Sequence, residues 1–377
     1  MLTRTDPVAR RGRTAARAPF PVYLNGKFYS GPLNGVHRTA DRLIQALDAF
    51  AQQGAADDLE FRLLLPERAN WAPDFARVRK IPQRLGHNQL WEQAVLPFAA
   101  SDGALVNLAN LGPVLHGRKL AMIHDAQFLL SPQSYAPHRR WGYRLVIPMV
   151  ARTSALTLTV SEYARDSLAA FGVSRHERTR VIYNGCDHIL QTPPDPGALA
   201  RLGLQPGGYV VLFGAPAAYK NIQVVLAAFA SDPPEGVKLV IVGADRAGLQ
   251  ARGLSPPADA VIAGKVDDGV LRALYDSALA LLFPSRTEGF GLPPAEAMAC
   301  GCPVVIAPAG ALPEVCRDAA LYADIFDPPS WRLQIERLRD DPGLRQAKIQ
   351  AGLARAARFT WRSAGEQLLQ EIRRLAV

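Results

Sequence analysis

The sequence predicts an α/β protein made of two Rossmann-like parallel-sheet domains. Three observations carry this. Short apolar runs alternate with helix-like stretches along most of the chain, the pattern of strand–helix–strand units. The length of 377 residues is more than one ordinary core holds and divides naturally into two domains of roughly 180 residues. A Pro-rich segment, Gln191-Thr-Pro-Pro-Asp-Pro-Gly197, interrupts the alternation near the middle and is the best boundary.

In the first half, strands are expected at 21–24, 61–65, 104–108, 120–123, 156–160 and 180–183, where apolar residues run together. Helices are expected at 36–50, 90–100 and 162–171. Ser161 is a good N-cap for the last of these, and Gly172 closes it. The second half repeats the theme with strands at 209–213, 238–242, 260–262, 279–283 and 303–306 and helices at 221–230, 267–277 and 294–300. Pro293 and Pro294 open that last helix, and Gly301 and Pro303 end it. Helices at 330–339, 344–358 and 361–375 finish the chain. The two halves resemble each other in architecture only.

Composition narrows the class. Hydrophobic residues make up 49% and charged residues 20%, which suits two packed interiors and excludes a disordered chain. No apolar run reaches the roughly 18–20 residues that cross a bilayer. The Arg-bearing first segment has no apolar core before Pro19, so no signal peptide is expected. Cys186, Cys300, Cys302 and Cys316 form no paired framework and no zinc spacing, which points to buried thiols in the reducing cytoplasm. The net charge is +9, unevenly placed. Residues 1–20 read as a basic disordered arm. A second cluster, His138-Arg139-Arg140-Trp141-Gly142-Tyr143-Arg144, mixes cations with aromatics. It suits an anionic membrane surface, a diphosphate, nucleic acid, or simply a solvated basic face.

The chemistry concentrates where strands end. The segment 283–303, FPSRTEGFGLPPAEAMACGCP, follows an apolar strand and leads into a helix. Glu288 is expected on the loop at the strand's C-terminal edge and Glu296 in the first helical turn. Ligands of open α/β sheets bind at that edge. Carboxylates accept hydrogen bonds from sugar hydroxyls, and Gly289 and Gly291 let backbone amides approach, so a polyhydroxylated, nucleotide-bearing ligand fits. In the first half, Tyr29 to Arg38 is a turn in which Gly31 and Gly35 open the helix from Val36, with Arg38 adding a cation. In the second half, the loop after the first strand ends in Lys220, expected at a helix start and suited to a diphosphate. His124 follows an apolar run directly and is expected at the crevice mouth; a satisfied core histidine is the alternative. No Asp-x-Asp metal motif, Walker loop or His-Glu-x-x-His occurs, so Lys, Arg and helix ends must balance any leaving diphosphate.

Taken together, these segments resemble the retaining glycosyltransferases of family 4, which have the GT-B fold, two Rossmann-like domains facing a central crevice. The resemblance rests on Asn34-Gly-Val-His-Arg38, Leu90-Trp-Glu-Gln93, Met122-Ile-His-Asp125, Val160-Ser161 and Val181-Ile-Tyr-Asn-Gly-Cys-Asp187 in the first half. In the second half it rests on Tyr219-Lys-Asn221, Leu274-Tyr275, Pro284-Ser285, the 288–304 segment, Leu312-Pro-Glu314 and Phe359-Thr-Trp361. The two Glu eight positions apart are highly specific. The chain looks most like shorter bacterial members that build surface polysaccharides, many of them mannosyltransferases.

The resemblance implies an acceptor-side domain over 21–190, a nucleotide-sugar domain over 198–358, and a C-terminal helix over 359–377 that packs back on the first domain. It implies that Glu296 holds the ribose. Glu288 with Gly289, Phe290, Gly291 and Leu292 would hold the donor sugar and phosphate. Lys220 would neutralise the leaving diphosphate, Gly35 would let the first-domain loop close, and His124 would orient the sugar. Glu288, Lys220 and His124 are the expected catalytic group. Arg38, Arg139, Arg140, Trp141 and Arg144 are the candidates for acceptor or membrane contact. One departure is clear: many members carry an Arg before the Lys, and here Gly214-Ala-Pro-Ala-Ala-Tyr219-Lys220 has none, so Arg38 or Arg286 is expected to help. The implied reaction moves a hexose, best read as mannose from GDP-mannose, to a saccharide or polyprenyl-linked saccharide. It proceeds with retention, no metal and no cofactor. Nucleic acid is not expected as a partner. The expected location is the cytoplasm, with peripheral attachment to the inner face of the plasma membrane. A sugar-nucleotide epimerase or a non-enzymatic nucleotide-sugar binder of the same fold is the alternative.

Overall fold

The computed structural model describes residues 18–83, 86, 88–214 and 217–376. All but the last three residues of the expected basic arm lie outside that range, and Phe20 already begins the first strand. Ala215 and Pro216 of the Lys220 loop also lie outside it.

Two parallel sheets form the frame. The first holds β1 (Phe20–Asn25), β2 (Leu59–Pro66), β3 (Arg79–Gln83), β4 (Ala104–Asn107), β5 (Lys119–Met122), β6 (Leu156–Thr159) and β7 (Thr179–Val181), in the order β3-β2-β1-β4-β5-β6-β7. The second holds β8 (Tyr209–Phe213), β9 (Lys238–Val242), β10 (Val261–Gly264), β11 (Ala280–Phe283), β12 (Val304–Ile306) and β13 (Ala320–Tyr322), in the order β10-β9-β8-β11-β12-β13. Both orders reverse beside the sheet's own first strand. The switch points are therefore β1/β4, with Leu24 opposite Val106, and β8/β11, with Leu212 opposite Leu282. The crevice outside such points is where α/β sheets take ligands.

The strands read from the sequence are present; β4, β5, β11 and β12 are buried throughout, whereas the edge strands β7 and β10 are only partly buried. Two strands were not expected. β3 is an edge strand with exposed positions and Pro82 in it, and β13 has only three residues. The helix expected at 36–50 runs Gly35–Gln52, capped by Asn34, whose side chain accepts from the His37 amide at 3.0 Å. The basic cluster lies on a helix, Pro137–Thr153, that continues through Pro148.

The last helix, Trp361–Ala376, packs on Gly35–Gln52. Gly365 makes that approach, since a Cβ there would lie 2.6 Å from the Ala46 Cβ. Gly185 does the same at the crossover, where a Cβ would lie 2.3 Å from the Trp361 amide nitrogen. An aromatic trio joins the halves: Phe290 lies 5.3 Å from Phe359 and 6.5 Å from Tyr183, with Tyr183 and Phe359 5.8 Å apart.

Candidate active site

The loop 284–291 leaves β11 at the second switch point and enters the helix Leu292–Ala299 through Gly291, which has a φ of +96°. A side chain would be strained in that conformation and would also meet the Leu312 Cδ2 at 2.6 Å. Gly289 is needed for another reason. A Cβ there would lie 2.6 Å from the His124 carbonyl oxygen and 3.0 Å from the Asp125 Cβ, so this glycine brings the loop against the opposite half. Phe290 and Leu292 are buried beneath the loop.

Glu288 meets Lys220 here: Nζ donates to Oε1 at 2.7 Å, and both side chains keep some exposure to the crevice. Nζ also lies 5.2 Å above the Tyr219 ring and 5.1 Å from that of Phe283, so the ammonium sits among aromatic faces. Lys220 is not at a helix start. It ends a single 3-10 turn, Ala218–Lys220, and Asn221, left-handed at φ +53°, separates it from the helix Gln223–Ser231. Asn is one of the few side chains that tolerates this conformation.

Glu296 lies beyond, almost fully buried, as the fifth residue of its helix and so past the first turn where it was expected. Its Oε1 is 3.0 Å from His188 Nε2. The other ring nitrogen of His188 accepts from the Trp361 indole at 3.0 Å, so the hydrogen is on Nε2. Nε2 lacks hydrogen-bond alignment with the carboxylate.

His124 is buried at the end of β5. Its Nε2 donates to the Leu108 carbonyl at 2.9 Å, which leaves Nδ1 as the lone-pair nitrogen. Burial lowers its pKa to about 4, so the ring is neutral near pH 7 and has no imidazolium proton to give. Gly35 starts its helix over Leu292, whose Cδ1 lies 3.7 Å from where a Gly35 Cβ would be. Gly35 thus faces the second-half loop, whereas His124 meets that loop through its backbone carbonyl: its ring is a satisfied, buried histidine rather than one exposed at the crevice mouth.

Two expectations need correction. Arg38, expected to assist Lys220 or to contact the acceptor, is engaged elsewhere. It forms a two-pronged pair with Asp268 of the second half, at 2.6 and 2.9 Å, on the side where Glu296 lies. Nor does Arg286 turn toward Lys220. Its guanidinium donates to Asn221 Oδ1 at 2.9 and 3.1 Å and stacks 5.1 Å from the Phe326 ring. Lys220 is therefore the cation that meets Glu288. Arg139, Arg140, Trp141 and Arg144 lie on an exposed helix apart from this cluster.

Asp125 is the residue that sequence reasoning passed over, although it stands next to His124. Its Oδ1 accepts from the Gln127 amide at 2.9 Å, and its carboxylate senses both Glu288 and Lys220. Burial, with Glu288 adding to it, pushes its pKa up to about 6. Tyr135 and Tyr219 border the same cluster, and their hydroxyls are pushed up by burial and by these carboxylates. A strand-ending His-Asp pair was the available signal. Among the described residues, no three His, Cys, Asp or Glu side chains gather as a metal site.

Comparison with known proteins bears on the family and the fold. A family model for glycosyl transferases group 1 matches residues 201–355. O-antigen chain mannosyltransferase B of Escherichia coli is 30% identical over 265 residues, covering 67% of this chain and 69% of that protein. D-inositol 3-phosphate glycosyltransferase of Segniliparus rotundus is 34% identical over 213 residues, covering 52% of this chain and 47% of that protein. The chain thus spans about half the length of that relative. The structure of Anabaena HepE in complex with UDP and glucose matches with a TM-score of 0.69 at 19% identity, covering 94% of this chain and all of that one. Two reversed parallel sheets, their switch points facing across one crevice, have the GT-B architecture. With that architecture, and with a relative matched over two thirds of its length, the chain belongs to the glycosyl transferases of group 1.

Proposed function

We propose that this protein transfers a hexose from a nucleotide-diphosphate sugar to a hydroxyl of a saccharide or lipid-linked saccharide, with retention and without a metal. The observation that carries the reading is the Lys220–Glu288 pair at the second switch point, with Glu296 buried behind it. In this reading the donor diphosphate takes over Lys220 Nζ. Glu288, released, accepts from sugar hydroxyls, while the amides from Gly289 to Leu292 face the phosphate. Glu296 accepts from the ribose, with His188 Nε2 beside its carboxylate at 3.0 Å. The bond between the anomeric carbon and the diphosphate oxygen breaks as the acceptor oxygen bonds to that carbon on the same face. The acceptor proton passes to the departing phosphate oxygen. Lys220 stabilises the charge that grows on that oxygen, which is the largest service an enzyme gives such a step. Neutral His124 orients the sugar through Nδ1.

GDP-mannose is the proposed donor, on the likeness to the O-antigen mannosyltransferase; the UDP and glucose bound by HepE make a uridine donor the rival. Calorimetry with GDP-mannose, UDP-glucose, UDP-N-acetylglucosamine and the free diphosphates, in EDTA, decides the donor. Binding of one series that is lost in Glu296→Ala is expected. Binding by none overturns the reading.

The acceptor end is proposed to sit at an anionic membrane. On the helix Pro137–Thr153, Trp141, Leu145 and Met149 form a stripe at four-residue spacing and are 75%, 65% and 40% exposed, with Arg139, Arg140 and Arg144 exposed beside them. An apolar stripe flanked by cations suits an interfacial helix. Buried Lys119 donates to the carbonyls of Val114 and His116 and to Thr153 Oγ1, pinning the loop of exposed Leu115 to the end of the same helix. Among the described residues no helix is long and apolar enough to cross a membrane.

A further inference from the structure

Ser161, Tyr183 and Glu314 lie in segments that carry the family resemblance, and none of them belongs to the Lys220–Glu288 cluster. Glu314 belongs to the second half, on the short helix Leu312–Cys316. Its carboxylate crosses the crevice to the N-terminus of Glu162–Ala170. Oε1 accepts from the Glu162 amide at 2.8 Å and Oε2 from the Tyr163 amide at 2.9 Å. Oε1 also accepts from the Tyr183 hydroxyl at 2.7 Å. Ser161 supplies the third bond of that helix end, accepting from the Ala164 amide at 3.0 Å. The first-turn amides that a helix leaves unpaired are thus met partly by its own cap and partly by a carboxylate from the opposite half. An anion at a helix N-terminus also meets the positive end of the dipole.

Of the three, Ser161 bonds the donor loop directly, and the segment just ahead of Glu314 bonds it too. Ser161 Oγ donates to the Gly289 carbonyl at 2.6 Å. The carbonyl before it, that of Glu288, accepts from the Ala311 amide at 3.0 Å, one turn ahead of Glu314. Gly310, left-handed at φ +62°, packs so tightly here that a Cβ would lie 2.5 Å from the Glu288 amide nitrogen. Two successive peptide planes at Glu288 and Gly289 are therefore fixed, one from each half. Tyr163 OH adds a further contact to Thr287 Oγ1 at 3.3 Å.

We propose that Glu314, with Ser161 and Tyr183, is a clasp of positioning residues. It holds the crevice closed and thereby sets the backbone of the Glu288–Gly289 loop for the donor. None of the three touches the reacting atoms. The proposal rests on the transferase reading for its effect on rate, but not for its effect on closure.

The test compares wild type, Glu314→Gln and Tyr183→Phe. Glu314→Gln keeps the shape and turns an acceptor into an amide NH₂ that faces backbone N–H groups. Charge-assisted bonds of this kind imply a fall in kcat of about 10- to 100-fold for Glu314→Gln, and about 5-fold for Tyr183→Phe. The affinity for free nucleoside diphosphate, which also rests on Lys220 and Glu296 in the proposed reading, should fall by less than kcat does. Small-angle scattering should give a larger radius of gyration for Glu314→Gln in the presence of donor. Wild-type kcat and scattering in both variants would overturn the clasp. So would equal losses of kcat, nucleotide affinity and melting temperature, which mark a merely structural role. Should Glu314→Gln fail to fold, Tyr183→Phe decides by the same readouts. A wild type without transferase activity would sink the function while scattering still judged the clasp.

Discussion

Lys220 and Asp125 face the same small volume with opposite charge, and each makes a different demand on pH and chemistry. Lys220 should be needed for leaving-group departure and for little else. Replacing it with Ala is expected to cut kcat by about 10²- to 10³-fold, with a circular dichroism spectrum like that of wild type. Turnover near wild type would remove its phosphate role. Asp125 has its carboxyl raised from 3.8 to about 6, by burial first and Glu288 after it. A raised acid favours the folded state while protonated. That contribution is complete below pH 4 and is lost as pH rises through about 6. Asp125→Asn should therefore be more stable than wild type at pH 8 by about 2 kcal/mol, an advantage that vanishes near pH 4. Denaturant melts at the two pH values measure it. His124 runs the other way: burial lowers its pKa to about 4, so its contribution is present above pH 6.5 and fades as the pH falls toward 4.

Among the elements, those that carry the donor loop are the most constrained. Gly291→Ala is expected to cost roughly 1–3 kcal/mol from its positive φ alone. The Leu312 contact should add to that, lowering the melting temperature and weakening donor binding together. The strands that lead to this loop were legible in the sequence because β8, β9 and β11 are continuous apolar runs. The loop was legible because glycines flank Phe290 between two Glu. β3 was not, since Arg79, Lys80 and Pro82 make an edge strand look like a turn. Asn221 could not be foreseen to end the turn of Lys220, because its left-handed conformation is settled by Arg286 and the Ile325 carbonyl, both distant in sequence. Arg38 was misread for the same reason: Asp268, its partner, lies 230 residues away. Glu288 and Glu296 stood out beside the Gly-Phe-Gly turn and took their roles from the family resemblance, but the trans cap by Glu314 exists only when two halves meet. The basic helix gives a direct test at this scale. Replacing Trp141 and Leu145 with Ser should abolish flotation with vesicles rich in anionic lipid at low salt, and leave donor affinity unchanged. Persistent flotation would remove that helix from the interface.

The whole molecule works through the relation between its halves. Arg38 with Asp268, Ser161 with Gly289, and Glu314 with its helix end all cross the crevice, and the donor loop lies among them. The chain passes between the halves twice, after Gln191 and again before Trp361. The two passages lie side by side: the Cys186 amide donates to the Phe359 carbonyl at 2.9 Å, and the Trp361 amide to Asp187 Oδ1 at 2.9 Å. Two neighbouring tethers leave a pair of rigid bodies very few ways to move. Tethers side by side favour rotation about a line near those crossings over sliding of one half past the other, as for a door hung on two pins. The sites farthest from that line travel most, so a small change of angle at Phe359 becomes a large change of gap at the opposite rim of the crevice.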